Sequence, residues 1–118
     1  MEGVVFETIW MMESFPKGDG GAIRLAGGAS KSRVWSQMLA DISGRPVLIP
    51  EVADLACVGA AVIAGWGCGL YPDIEAGCRA LAINTTEILP DRERVNMYKN
   101  AYESYKAGAR KLADLYDL

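Results

Sequence analysis

The residues best placed to do chemistry lie in one run, Ile23-Arg24-Leu25-Ala26-Gly27-Gly28-Ala29-Ser30-Lys31-Ser32-Arg33-Val34-Trp35. It opens as a short apolar strand, breaks at two glycines, and passes through hydroxyl residues into a helical pattern. A strand that re-enters as a helix leaves free backbone N–H groups at the helix start. With the positive end of the helix dipole, these form a candidate site for phosphate or another anion. Glycine also serves many strand–helix turns that bind nothing, so this local pattern leaves both readings open.

Other chemistries are excluded by what the chain lacks. With no histidine among its 118 residues, it cannot assemble Ser-His-Asp or Cys-His nucleophilic catalysis by itself. Cys57, Cys68 and Cys78 are odd in number and have no CxxC spacing, so no zinc or other metal site is expected. They are expected to be small buried residues in a reducing compartment. A net charge of −3 without a basic face argues against nucleic acid as the main partner. Glu2 and Glu7 near the start do not suit a secretory signal. The nearly uncharged run 55–71 is short for a membrane span and reads as a buried helix. A length of 118 residues, 51% of them hydrophobic, suits one domain with a modest core.

The elements that must position the glycine turn follow from periodicity. Residues 2–15 read as a helix apolar on well over one face, expecting neighbours on several sides and beginning without a cap, like a cut edge. The segment 16–21 is a breaking turn. A strand at 23–26 precedes a helix over 32–43, with Ser30 and Ser32 as candidate caps. Val34, Trp35, Met38, Leu39 and Ile42 form its expected buried stripe. Gly44 and Pro46 end it, and residues 47–49 form a second strand, closed by Pro50. Strand, helix, strand favours a parallel βαβ-like unit. A third helix over 55–67, capped by Asp54, is so rich in Gly and Ala that close packing of another backbone or a flat ligand is implied. A turn at 68–72, a short helix over 73–82 and an extended link at 84–89 follow. The last helix begins near Pro90, with Asp91 and Glu93 in its first turn. Its seam, Val95, Tyr98, Tyr102, Tyr105, Ala109, Leu112 and Tyr116, fits either a coiled coil or packing across the chain's own domain, and Gly108 and the tyrosines favour the latter.

The succession Glu2-Gly3-Val4-Val5-Phe6, Gly27-Gly28, Ser30-Lys31-Ser32-Arg33-Val34-Trp35, Gln37-Met38-Leu39-Ala40-Asp41, Gly44-Arg45-Pro46-Val47, Val58-Gly59-Ala60-Ala61 and Gly67-Cys68-Gly69 resembles the C-terminal region of the FGGY carbohydrate kinases. The nearest likeness is to xylulokinase-like and L-xylulose-kinase-like members, and it runs over essentially the whole chain. The resemblance implies an α/β fold: a partial actin-like (ribonuclease H-like) ATPase domain, helices around a small sheet, ending in a long helix. It implies a cytoplasmic enzyme phosphorylating a sugar hydroxyl, pentulose or xylulose-like, with MgATP. By position, Gly27, Gly28 and Ala29 would lie against the nucleotide and Ser32 would offer it a hydrogen bond, although some relatives carry Asn there. Asp54 matches an acidic position before the family's Gly-Ala-Ala helix and is read as a cap.

The family's sugar-binding half, aspartate base and phosphate loops find no match in these residues, nor do ligands for Mg. Residues 1–118 are therefore expected to be a single domain, the nucleotide-binding C-terminal fragment of such a kinase, with no catalytic residue and no activity of its own. The alternative is a stand-alone interaction or oligomerisation domain using the Tyr-rich helix. A third reading is a regulatory nucleotide-binding module. The surplus apolar surface of the first helix predicts self-association through Ile9, Trp10 or Met12. The sugar's identity is not encoded here.

Overall fold

Three short strands, each too small to hold alone, are joined into one sheet in the order β1-β2-β3. The computed structural model describes residues 1–15, 21–52 and 54–116; the breaking turn expected at 16–21 lies largely outside them. Strand β1 (Ile23–Arg24) runs parallel to β2 (Val47–Pro50), pairing Ile23 with Val47 and Arg24 with Leu48. The pairing continues as Leu25 N–H donates to Leu48 O at 3.0 Å. The expected parallel unit is present, with its first strand shorter than 23–26.

The link expected at 84–89 is a third strand, β3 (Thr85–Ile88), antiparallel to β2 with Val47 opposite Ile88. Only Ile88 of its four residues is half-buried. The strand therefore carries no apolar alternation, and backbone pairing alone defines it.

Helix α2 (Arg33–Ser43) joins the two parallel strands and packs on the sheet. Gly44 ends it in the left-handed conformation, φ +65°, as glycine readily does. The stripe differs from expectation: Val34 is exposed, while Ser36, Leu39, Ala40 and Asp41 are buried. The helix is covered on more than one side, by the sheet and by α1 (Glu2–Glu13) and α5 (Arg92–Leu115). A second covered face must then accommodate polar residues. Ser36 does so by donating its hydroxyl to Ser32 O at 3.0 Å.

Helix α1 buries Val5, Phe6 and Ile9 against α2 and α5. Phe6 lies in a ring of aromatics, with centroids 6.3 Å from Tyr98, 5.6 Å from Tyr102 and 5.4 Å from Tyr105. This corrects the expected self-association contact. Ile9 is in the core, Trp10 stacks edge-on to Tyr105, and Met12 packs on the core; the open apolar residues of this segment are Val4, Met11 and Phe15.

The seam of α5 faces α1 through three tyrosines, and each phenol donates to a glutamate. Tyr98 reaches Glu2 at 3.1 Å, Tyr102 reaches Glu13 at 2.9 Å and Tyr105 reaches Glu7 at 2.8 Å. Burial, then the Glu partner, pushes Tyr98 and Tyr102 above the ordinary phenol value of 10.0; for Tyr105 the Glu7 bond is the first cause. Folding thus favours the protonated phenols. Their stabilisation is complete below pH about 10 and is lost as pH rises through the raised values. Alkaline unfolding followed by helix circular dichroism is expected to begin above pH about 10 and to be less steep in Tyr102→Phe. An unchanged slope in that variant would remove the Tyr102–Glu13 bond from the account.

Helices α3 (Leu55–Gly67) and α4 (Ile74–Leu81) pack on each other. Two glycines carry the close approach. A Cβ on Gly65 would stand 2.7 Å from the Tyr71 ring, and one on Gly77 would stand 2.8 Å from Val62. The expectation that α3 is buried is not met: only Val62 and Gly65 are buried, while Ile63 and Trp66 are exposed. Cys57, Cys68 and Cys78 are likewise exposed rather than buried, because they lie on the open faces of this pair.

A candidate nucleotide site at the glycine turn

The chain leaves β1 at Leu25 and turns at Gly27, whose φ of +82° is a conformation open almost only to glycine. A 3₁₀ turn, Gly28–Lys31, follows before α2 begins. The strand therefore does not pass straight into a helix, as expected. Ser30 does not cap α2 either: its hydroxyl and its N–H both bond to Gly27 O, at 2.7 and 3.2 Å, closing the short turn. Ser32 is the cap, accepting from Trp35 N at 3.3 Å.

On the neighbouring strand the chain leaves β2 at Pro50 and enters α3 through Asp54. The Asp54 carboxylate accepts from Ala56 N at 3.0 Å and Cys57 N at 3.2 Å. The Cys57 backbone N–H is the first cause holding this carboxyl below its ordinary range, and the positive charge of Lys31 adds a smaller pull. The expected capping role of Asp54 is present, and it has a second consequence. With its first free N–H groups already satisfied by a carboxylate, the start of α3 has less to offer a second anion.

Between these two exits lies a cleft of about 710 Å³, within the usual range for small-molecule sites. It sits beyond the carboxyl ends of two parallel strands, where open α/β sheets bind ligands because the connections diverge there. Gly27, Gly28 and Lys31 line one side and Pro50, Asp54 and Leu55 the other. Of the four residues expected at a nucleotide, Gly27 and Gly28 line this cleft, while Ala29 and Ser32 do not. Ser32 acts nearby by fixing the helix start.

Gly28 separates packing from ligand as the reason for glycine. Unlike Gly27 it has no positive φ, and a Cβ built on it would meet no atom within 4 Å. Among the described residues, nothing in the chain requires glycine there. A Cβ would instead take up space at the edge of the cleft. Sequence reasoning passed over Lys31, whose amine is the cation in this lining. Its sign next to a glycine turn was the available signal. Among the described residues no three His, Cys, Asp or Glu side chains gather to hold a metal, and no helix is long and apolar enough to cross a membrane.

Known proteins identify the family of the chain. Residues 1–68 match the model of the C-terminal domain of the FGGY family of carbohydrate kinases. The chain belongs to that family. It is 37% identical over 109 residues to the L-xylulose/3-keto-L-gulonate kinase of Escherichia coli K12, covering 89% of this chain and 22% of that protein. It is 40% identical over 83 residues to the autoinducer-2 kinase of the same strain, covering 70% of this chain and 16% of that one. The chain thus spans about a fifth of these FGGY relatives. The ligand-bound xylulose kinase of Lactobacillus acidophilus superposes with a TM-score of 0.80 at 21% identity, over 95% of this chain and 23% of that one. The fold is therefore that of part of an actin-like FGGY kinase domain: helices around a three-stranded sheet, ending in a long helix.

Proposed function

We propose that residues 1–118 act as one domain, the nucleotide-side wall of an ATP-dependent carbohydrate kinase that phosphorylates a pentulose or xylulose-like hydroxyl. Gly27 and Gly28 lie against ATP, and Ser32 and Ala29 hold the turn that presents them. The observation that carries this reading is the open space at Gly28, on the rim of a cleft at the carboxyl ends of β1 and β2.

Phosphoryl transfer to a hydroxyl needs in-line positioning, neutralisation of the developing charge by Mg, and a base for the hydroxyl proton. This chain contributes positioning of the nucleotide. Among the described residues its cleft is lined by one lysine, Lys31, with Asp54 as the opposing charge, so the phosphates, Mg, base and sugar pocket are assigned to the other part of such an enzyme. The 118-residue chain incubated with MgATP and a panel of pentoses and pentuloses is accordingly expected to give no sugar phosphate above background. Turnover by this chain alone would contradict the assignment of roles.

The alternative, an interaction domain built on the Tyr-rich helix, draws support from the last turns of α5. There Leu112, Leu115 and Tyr116 are open, while Tyr98, Tyr102 and Tyr105 are already taken up by α1.

A further inference from the structure

A second cleft, of about 390 Å³, lies between α2 and the first turns of α5, beyond the Ser32 cap from the glycine turn. Arg33, Val34, Met38 and Asp41 line it from one face of α2, and Arg94 and Tyr98 from one face of α5. Asp41 is the uncommon member, with a side chain only 1% exposed. Its Oδ1 is fully used, accepting from Gln37 Nε2 at 2.9 Å and from Asp91 N at 2.8 Å. Among the described residues, its buried Oδ2 accepts no hydrogen bond. The nearest cation, the Arg94 guanidinium, stands at 3.6 Å: close enough to balance charge, too far to donate.

A buried carboxylate oxygen left without a donor is costly, and a site that leaves one asks for a donor. Arg94, more than half exposed, can move aside and turn its fork outward. Arg33 and Arg94 line the cleft together with Asp41, and guanidinium forks match carboxylate and phosphate oxygens. Val34, Met38 and the Tyr98 ring supply apolar contact for a short carbon chain.

We infer that the α2–α5 cleft is a binding site for a small hydroxylated oxyanion, its hydroxyl donating to Asp41 Oδ2 and its anionic group held by Arg33 and Arg94. The site is separate from the glycine-turn cleft and does not depend on the nucleotide reading. Phosphate esters and hydroxycarboxylates share this chemistry, and the probes distinguish them.

The test is isothermal titration of the 118-residue chain with glycerol 3-phosphate, glycerate, glycerol and inorganic phosphate. Saturable binding is expected for glycerol 3-phosphate, for glycerate or for both, the stronger naming the anion class. Glycerol is expected not to bind, and inorganic phosphate to bind about tenfold more weakly. Arg33→Ala, at an exposed position, should weaken the hydroxylated anion roughly tenfold with the fold unchanged. Asp41→Asn should reduce it to the level of inorganic phosphate; if that variant does not fold, Arg33→Ala and Arg94→Ala decide. ATP should not compete. Absence of saturable binding by either hydroxylated anion, or binding indifferent to Arg33 and Arg94, overturns the inference.

Discussion

Asp41→Ala is expected to lower the free energy of unfolding by roughly 3 kcal/mol, the sum of two lost hydrogen bonds to a buried charged acceptor. Asp41 is where three elements meet. Its Oδ1 holds Gln37 on its own helix and the N–H of Asp91, the residue that caps α5. Gln37 in turn donates to Leu89 O at 3.0 Å, so the pair clamps the passage from β3 into α5. Asp91 then accepts from Glu93 N and Arg94 N, at 2.9 and 3.3 Å. Alanine would leave the Asp91 N–H without its acceptor and the Gln37 amide with Leu89 O alone, beside a cationic Arg94. The loss is read as a fall in the urea midpoint at unchanged slope, with detachment of α5 visible as lost tyrosine near-ultraviolet dichroism. Gln37→Ala should cost less, about 1 kcal/mol, because Asp41 keeps its bond to Asp91. A drop of under 1 kcal/mol for Asp41→Ala would show that α5 is held by its tyrosines alone.

Phe6→Ala has an expected cost of about 3–5 kcal/mol, in the range for emptying a buried aromatic site. Phe6 is 6% exposed and is the ring against which Tyr98, Tyr102 and Tyr105 all pack. Those tyrosines cannot close the gap without moving their hydroxyls off Glu2, Glu13 and Glu7. The void therefore persists, and collapse of the site cannot refund the loss. For a domain of ordinary stability this is a large fraction of the total. Val4→Ala, on the open side of the same helix, is expected to change the midpoint little. Equal effects for the two variants would mean that α1 is not docked by the aromatic cluster.

Periodic and terminal signals made much of this fold legible in the sequence. The caps Ser32 and Asp54, the left-handed exit at Gly44 and the parallel β1–β2 pair all rest on contacts within a few residues or on one crossover. What the sequence did not disclose depended on distant partners. Strand β3 exists because residues 85–88 pair with β2 across a separation of more than 30 residues. Asp41 lies outside the expected buried stripe of its helix, and its burial depends on Asp91 and Leu89 arriving beside it and its neighbour Gln37. Apolar composition misled at α3, where it implied burial. Hydrophobicity shows that a surface can be covered, and by itself does not say what covers it within this chain. At the candidate site the glycines were readable because only glycine adopts the conformation of Gly27 readily. The placement of Lys31, and the absence of Ala29 and Ser32 from the lining, needed the 3₁₀ turn to be seen.

The central claim is that the Gly27–Gly28 turn is the wall of a nucleotide cleft. It is tested most directly by titrating ATP into the isotopically labelled chain and following backbone amide resonances, which report weak binding as well as tight. The amides of Gly27, Gly28, Leu55 and Ala56, which line the two sides of the cleft, are expected to shift together along one weak binding curve. Gly28→Val should abolish the shifts, and Gly28→Ala, whose Cβ meets no atom within 4 Å among the described residues, should weaken them while leaving the remaining spectrum and the unfolding midpoint close to the original. ATP shifts that avoid these four amides, or that survive Gly28→Val unchanged, would contradict the account.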